Sequence, residues 1–303
     1  MKVTALLPVL NEEPYISKCL DSLLINSTGK ISVVVSDNCS TDQSVHIISK
    51  YRNKSLKLIT TTVQVPAVNN WRACFEEANT DFVFTIGGDD LLATNLIDKF
   101  TESLEEYSNL GIFYFYFSNF DDHTLEEIST SPNQVLFEKI ATCFYCGLKI
   151  LLFNPSLDEF GLSLHQKANL QEQALLSSDT TQSFFYWLGL LGYIKTCLRN
   201  RKVMYHREVS VFKRQRTSYE GKGNFRISKT SQKSLRMHND IKNAWVVASQ
   251  INGVFKFELF TFIFLNTLSL RQRNIVRIFS SAMLNRWILS MHSRSLNVMN
   301  CKK

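Results

Sequence analysis

Phe82-Val83-Phe84-Thr85-Ile86-Gly87-Gly88-Asp89-Asp90 is a short apolar run that stops at two glycines and two adjacent carboxylates. An apolar run of this length, without alternation, predicts a strand buried on both faces of a parallel sheet. Neighbouring carboxylates at its end repel one another unless a cation or hydrogen bonds offset their charge, and hard oxygen ligands suit Mg²⁺ or Mn²⁺ bound to diphosphate oxygens. The glycines let backbone and ligand approach closely. Taken alone, the stretch has a plainer reading, in which an Asp caps the following helix.

Upstream, Val3 to Leu7 is a similar run ending at Pro8, and Pro14 suits a first helical turn before Ile16, Leu20, Leu23 and Leu24 recur at helical spacing up to Gly29. Ile31 to Val35 reads as a second strand. The loop residues Asp37-Asn38-Cys39-Ser40-Thr41-Asp42 follow it, and then a helix with Val45, Ile48 and Tyr51 inward. Leu56 to Thr61 reads as strand three, and Asn69 or Asn70 as the cap of a helix carrying Trp71, Phe75 and Ala78. Downstream of the acidic pair come a helix from Leu96 to Tyr107 and a strand from Ile112 to Phe117. Alternating strands and helices of this size predict an α/β fold, a mostly parallel central sheet flanked by helices on both faces, with ligands at the C-terminal ends of the strands. Residues 119 to 178 have weak periodicity and take no detailed assignment. A helix from Thr180 to Leu191, closed by Gly192, is expected beyond them.

Four strand ends then place polar residues toward one edge: Asn11 and Glu12, Asp37, Asn70, and Asp89 with Asp90. Their order, Pro8-Val9-Leu10-Asn11-Glu12, Ser36-Asp37-Asn38-Cys39-Ser40-Thr41-Asp42, Asn70-Trp71 and Gly88-Asp89-Asp90, resembles the family 2 glycosyltransferases over about the first 115 residues. The resemblance implies a GT-A type nucleotide-binding domain in residues 1–219, with a nucleotide-sugar half (1–117) and an acceptor half (118–219). A loop over 220–233 and a basic helical extension over 234–303 complete the expected organisation. It further implies that Asp37 contacts the base of a nucleoside diphosphate sugar, with Pro8 and Leu10 shaping that pocket and Asn11, Glu12 and Asn70 at its border. Asp89 is expected on the ribose or sugar, and Asp90 on a Mn²⁺ or Mg²⁺ ion bridging the diphosphate. Gly87 stands where many relatives have a further Asp.

Inverting sugar transfer needs a base for the acceptor hydroxyl, and the family takes it from an acidic residue at the start of a helix. Asp179, in Ser177-Ser178-Asp179, matches, with an ordinary N-cap as its plain alternative and Glu172 in reserve. Arg207 and Arg214, with Lys213 and Arg216, are candidates to hold the leaving diphosphate, or else form a solvated basic face. His206 is read as structural rather than as a metal ligand.

The 303 residues are 45% apolar and 20% charged, which suits a folded domain with an appendage and excludes a disordered chain. Seven unpaired-looking cysteines suit a reducing compartment, and Cys143-x-x-Cys146 is read as ordinary packing. The first residues enter a strand directly, so a cytosolic location is expected. The net charge of +7 is uneven: residues 1–194 hold about 12 basic and 23 acidic side chains, residues 195–303 about 22 and 4. Phe255 to Leu270 is apolar but interrupted by Lys256, Glu258 and Asn266 and followed by Arg271, Arg273 and Arg277, so it reads as an interfacial helix on an anionic membrane or as a packed hairpin. Together with the basic tail, the family resemblance implies as partners a nucleoside diphosphate sugar, a glycan or lipid-linked acceptor of a bacterial surface polysaccharide such as O-antigen or capsule, and the cytosolic face of the inner membrane. The absence of a Gly-rich phosphate loop after strand one argues against a nucleotidyltransferase, and the absence of GxGxxG against a dehydrogenase. A non-catalytic nucleotide-sugar, nucleic-acid or membrane-binding module remains the alternative, and it leaves the acidic strand ends unexplained.

Overall fold

The structure, a computed structural model, describes residues 2–25, 29–51, 55–121, 127–130, 163–176, 181–215, 240 and 242–250. Its first half follows the expected alternation: β1 (Val3–Val9), α1 (Ile16–Ile25), β2 (Ile31–Asp37), α2 (Ser44–Ser49), β3 (Leu56–Thr60), α3 (Ala67–Glu77) and β4 (Phe82–Thr85). A two-residue strand β5 (Leu91–Leu92), helix α4 (Leu96–Glu106) and the long strand β6 (Leu110–Asp121) follow. Beyond these stand β7 (Glu127–Thr130), β8 (Ser163–Gln166), the 3₁₀ turns Lys167–Asn169 and Gln171–Leu175, helix α5 (Thr181–Leu198) and β9 (Lys202–Gln215).

Among the described residues the strands form one nine-stranded sheet in the order β3-β2-β1-β4-β8-β6-β9-β5, with β7 added on β6. Pairings β3-β2, β2-β1, β1-β4 and β6-β9 are parallel. The short β8 runs antiparallel between β4 and β6, and β5 runs antiparallel to β9. Leu6, Val34, Val83, Ile112 and Tyr114 pack one face under α3 and α5, with Trp71 fully buried among Phe75, Phe184 and Phe185. Val3, Ala5, Leu7, Val33, Phe84 and Phe113 pack the other face under α1, α2 and α4. Both faces are covered, which is why the strands read as unbroken apolar runs.

Strand β1 passes through Pro8 instead of stopping at Leu7. Val3 N–H donates to Lys30 and Ile86 N–H donates to Leu6, so odd residues of β1 bond to β2 and even ones to β4. Pro8 is an even position, and its missing N–H faces the β4 side just where β4 ends at Thr85. The two strands therefore part above Leu6. Because β2 lies on one side of β1 and β4 on the other, this parting is a topological switch point, the place where such sheets bind ligands.

Two expectations are corrected. Helix α3 begins at Ala67, so Asn70 lies inside its first turn and is not a cap. Helix α5 runs through Gly192 to Leu198, since the residue serves packing and not termination: a Cβ there would meet His165 Nδ1 at 2.7 Å and Leu170 Cδ2 at 2.9 Å. The loop over 220–233, the Phe255 to Leu270 segment, Cys143 and Cys146 lie outside the described residues. Of the expected C-terminal extension, residues 242–249 are helical and bury Ala244, Val247 and Ala248 against the α3/α5 face. No helix among the described residues is long and apolar enough to cross a membrane.

Gly192→Ala is expected to lower the free energy of unfolding by about 1–3 kcal/mol, because the new methyl must displace a fully buried imidazole. The denaturant midpoint at constant slope measures it.

Candidate functional site

At the switch point the turns after β1 and β2 are laced together. Asn11, at φ 55, donates its N–H to Ser40 Oγ (2.9 Å) and accepts from the Thr41 N–H at Oδ1 (2.9 Å). Glu12 N–H donates to Ser44 Oγ (2.8 Å), and Glu13 N–H to Asp42 Oδ2 (3.0 Å). The Gln43 N–H returns a bond to Glu13 Oε2. Burial works against the ionised form of Asp42, but hydrogen bonds from Ser44 and the Glu13 and Ser44 backbone outweigh it and hold the carboxyl below its usual range.

Asp37, at the last position of β2, is 2% exposed. Its Oδ2 accepts from the Ser40 N–H (3.1 Å), while Oδ1 is buried with no hydrogen-bond partner. A buried carboxylate oxygen in this condition calls for a donor, and an N–H of a ligand base would serve. Asn38 clips the next loop in place, accepting from Val65 N–H and donating to Val65 O, both at 2.8 Å. Asn70 takes a supporting role beneath the crevice. Its amide accepts from Ser36 Oγ (2.6 Å) and donates to Ser36 O (2.9 Å), which ties α3 to β2. Pro8 and Leu10 are half-buried at the end of β1.

After β4 the chain turns through Gly87 and Gly88 to the acidic pair. A Cβ on Gly87 would lie 2.9 Å from both Asp89 Oδ1 and Asp90 Oδ2, and one on Gly88 would lie 2.8 Å from Glu12 Cγ. Both carboxylates thus fold back over Gly87, and Glu12 lies across Gly88. A side chain at position 87, such as the further Asp that the family resemblance places there, would require both carboxylates to swing aside. Below it, the buried Cys19 thiol donates to Gly87 O (3.4 Å). Burial, and then the charges of Asp90, Asp89 and Glu12, push that thiol well above its usual range, so it stays protonated and able to donate.

The fourth side of the site comes from β9, which weak periodicity hid. Strand β5 pairs Leu91 with Phe212 and Leu92 with Val211, which sets Lys213 and Arg214 directly over the acidic pair. Arg214 N–H donates to Asp90 Oδ1 and its Nε to Asp89 O, each at 3.2 Å. Burial, then Asp89, push the Asp90 carboxyl up to about 6, against the pull of Lys213 and the backbone N–H groups of Arg214 and Gly87. Of the four basic candidates read from the sequence, Arg214 and Lys213 stand beside the acidic pair. Sequence reading missed Tyr15 and Phe120, whose rings flank the Arg214 guanidinium.

Other expected residues stand elsewhere. Arg207 is exposed seven residues up β9 from Arg214, on the order of 20 Å of extended chain, so it does not join the acidic turn. His206 stacks on Phe113 (5.8 Å), consistent with a structural role. Glu172, the reserve base, accepts from Lys195 Nζ (2.5 Å) in the last turn of α5 and is held in that ion pair. Asp179 lies outside the described residues. The segment leading toward it is anchored, for Arg72 donates to Gln173 Oε1 and to the carbonyls of Gln173 and Leu176.

A divalent cation fits the acidic turn on two observations: the converging oxygens of Asp89 and Asp90 over Gly87, and the raised Asp90 carboxyl, whose ionised form a cation would stabilise. Among the described residues no group of three or more His, Cys, Asp or Glu forms a cation cage. Further ligands would come from phosphate oxygens and water, the usual arrangement for Mg²⁺.

Residues 4–160 match the family model described as Glycosyl transferase family 2. The poly(ribitol-phosphate) beta-N-acetylglucosaminyltransferase TarS of Staphylococcus aureus is 32% identical over 111 residues, 35% of this chain and 19% of that protein. Glycosyltransferase GlyA of Streptococcus pneumoniae is 24% identical over 151 residues, 46% of this chain and 21% of that protein. This chain thus spans about a fifth of the length of these curated relatives. The crystal structure of S. aureus TarS 1-349 in complex with UDP-GlcNAc has the same fold, with a TM-score of 0.61 at 17% identity over 90% of this chain and 78% of that one. The corresponding complex with UDP gives 0.60 at 14% identity over 99% and 93%.

The raised Asp90 carboxyl makes a prediction with a definite sign. Ionising a group whose folded pKa lies above its unfolded value costs the folded state up to about 3 kcal/mol, fully above pH 6 and not at all below about pH 4. Asp90→Asn is therefore expected to raise the melting temperature of the unliganded protein at pH 7.5 and to leave it unchanged near pH 4, read by calorimetry at the two pH values.

Proposed function

The chain belongs to glycosyl transferase family 2, and on that premise we propose that it is an inverting transferase moving a sugar from a nucleoside diphosphate sugar to a glycan or lipid-linked glycan acceptor. The observation that carries the reading is the meeting, at one switch point, of a buried unsatisfied Asp37 oxygen and the Asp89-Asp90 turn under Lys213 and Arg214. The first suits an N–H of the base and the second a sugar diphosphate with its cation.

In this reading Asp37 holds the base between the Asn38-clipped loop and the turn at Pro8, Leu10 and Asn11. Asp89 and Glu12 face the ribose or sugar. Asp90 holds Mn²⁺ or Mg²⁺, which when bound offsets the charge of the departing diphosphate. Lys213 adds positive charge on the same side. Asp179 takes the proton of the acceptor hydroxyl as its oxygen attacks the anomeric carbon, and the helix dipole of α5 favours the ionised base. The strongly basic residues 195–303 favour an anionic acceptor or surface, such as a phosphate-bearing surface polymer assembled on the cytosolic face of a membrane. The poly(ribitol-phosphate) named for the S. aureus relative is an acceptor of that kind, and O-antigen and capsule glycans remain within the same class.

Two measurements test this. UDP or GDP with Mn²⁺ is expected to raise the melting temperature and Asp90→Ala to remove the shift; no shift with any nucleotide, alongside RNA binding with a steep salt slope, would overturn the reading. In a donor screen across UDP-, GDP- and dTDP-sugars, Asp179→Asn should lower turnover by about 10²–10⁴-fold with little change in donor KM. Undiminished turnover would remove Asp179 from the mechanism.

A further inference from the structure

Arg214 is held in a way that a simple phosphate-binding arginine is not. Its guanidinium carbon lies 4.5 Å from the Tyr15 ring centroid and 4.6 Å from that of Phe120. Phe120 is its cross-strand partner on β6 and is 5% exposed. Tyr15 comes from the turn that joins β1 to α1, where its N–H donates to Glu12 O. The plane so fixed aims Nε at the carbonyl of Asp89 (3.2 Å), and the same residue's backbone N–H reaches Asp90 Oδ1 (3.2 Å). One side chain thereby joins the β1 turn, the end of β6, the end of β9 and the acidic turn.

Resting on the donor-site reading above, we propose that Arg214 is a positioning residue: the Tyr15-Arg214-Phe120 stack orients the Asp89-Asp90 turn for its cation. Charge alone does not do this. A guanidinium is planar, stacks on aromatic faces and donates from a fixed Nε, whereas an ammonium is a point charge on a flexible stem. The register agrees with such a role. Strand β9 carries more residues than β6 between Tyr114 and Phe117, and these bulges bend its end toward β5 and the turn. A bent strand end without a lock would leave the carboxylates free to splay apart under their own repulsion.

The test is Mn²⁺ affinity, measured by titration calorimetry on the full chain with Mn²⁺ alone and with Mn²⁺ plus UDP, for wild type, Arg214→Lys, Tyr15→Leu, Tyr15→Phe and the Tyr15→Leu/Arg214→Lys double variant. The expected result is a loss on the order of tenfold in Arg214→Lys and in Tyr15→Leu, with the double variant no weaker than the weaker single one. Tyr15→Phe, which keeps the ring, restores the affinity lost in Tyr15→Leu. Melting temperatures of the unliganded variants are recorded alongside, and Mn²⁺ affinity is to fall in variants that melt as the wild type does. Wild-type affinity in Arg214→Lys, or an additive double variant, would overturn the positioning role while leaving the donor site standing. A wild-type protein that binds neither Mn²⁺ nor UDP would overturn the donor-site reading and this inference together.

Discussion

Two carboxylates next to each other, folded over a glycine at the end of a buried strand, repel, and the surrounding structure is arranged to hold them in spite of it. Cys19 holds the backbone of the turn from below as a neutral donor. Lys213 and the backbone of Arg214 approach from above, delivered by the short pairing of β5 with β9. These supports do not neutralise the pair, and Asp90 remains pushed up to about 6. A cation beside the turn would offset this repulsion and favour the ionised form of Asp90.

The topology explains why the acidic turn and the buried Asp37 carboxylate stand at the same end of the sheet. Strands β2 and β4 flank β1, and Pro8 withholds a donor from the β4 side where that strand ends, so β1 and β4 separate at their C-terminal ends. The turns after β1 and β2 are then fixed to each other through Asn11, Ser40, Glu12 and Ser44, while Asn70 ties α3 to β2 from beneath. Rigid strands carry the charged groups and hydrogen-bonded loops hold them in register. The β1-β2 turns and the acidic turn are linked through Glu12, whose N–H bonds to Ser44 on one side and whose side chain lies against Gly88 on the other.

The first 115 residues were legible because their strands are buried on both faces and their polar strand ends are short and local. Val3–Val9, Ile31–Asp37 and Phe82–Thr85 lie within two or three residues of their expected bounds, and the GT-A fold and family followed from the order of their end motifs. The signal failed where a long-range contact outweighed a local preference. Gly192 reads locally as a helix stop, yet it is a small residue inside a helix that must pass His165. Strand β9 was not seen because Lys202, His206, Arg207, Glu208, Lys213 and Arg214 break up its apolar pattern, and its bulges switch Val209 and Val211 to opposite faces of the sheet. The pairing of β5 with β9 joins residues about 120 positions apart, and no local pattern announces it. Arg207 and Arg214 look alike in sequence, and only this pairing separates the one at the site from the one that is not.

The central claim is that the Asp89-Asp90 turn binds a divalent cation together with a nucleoside diphosphate. Anomalous diffraction at the manganese edge from crystals grown with Mn²⁺ and UDP tests it most directly. The account predicts one strong peak against the Asp90 carboxylate, bridged to the diphosphate, with the base in reach of Asp37. Nucleotide bound elsewhere on the molecule, or a manganese peak remote from this turn, would contradict it.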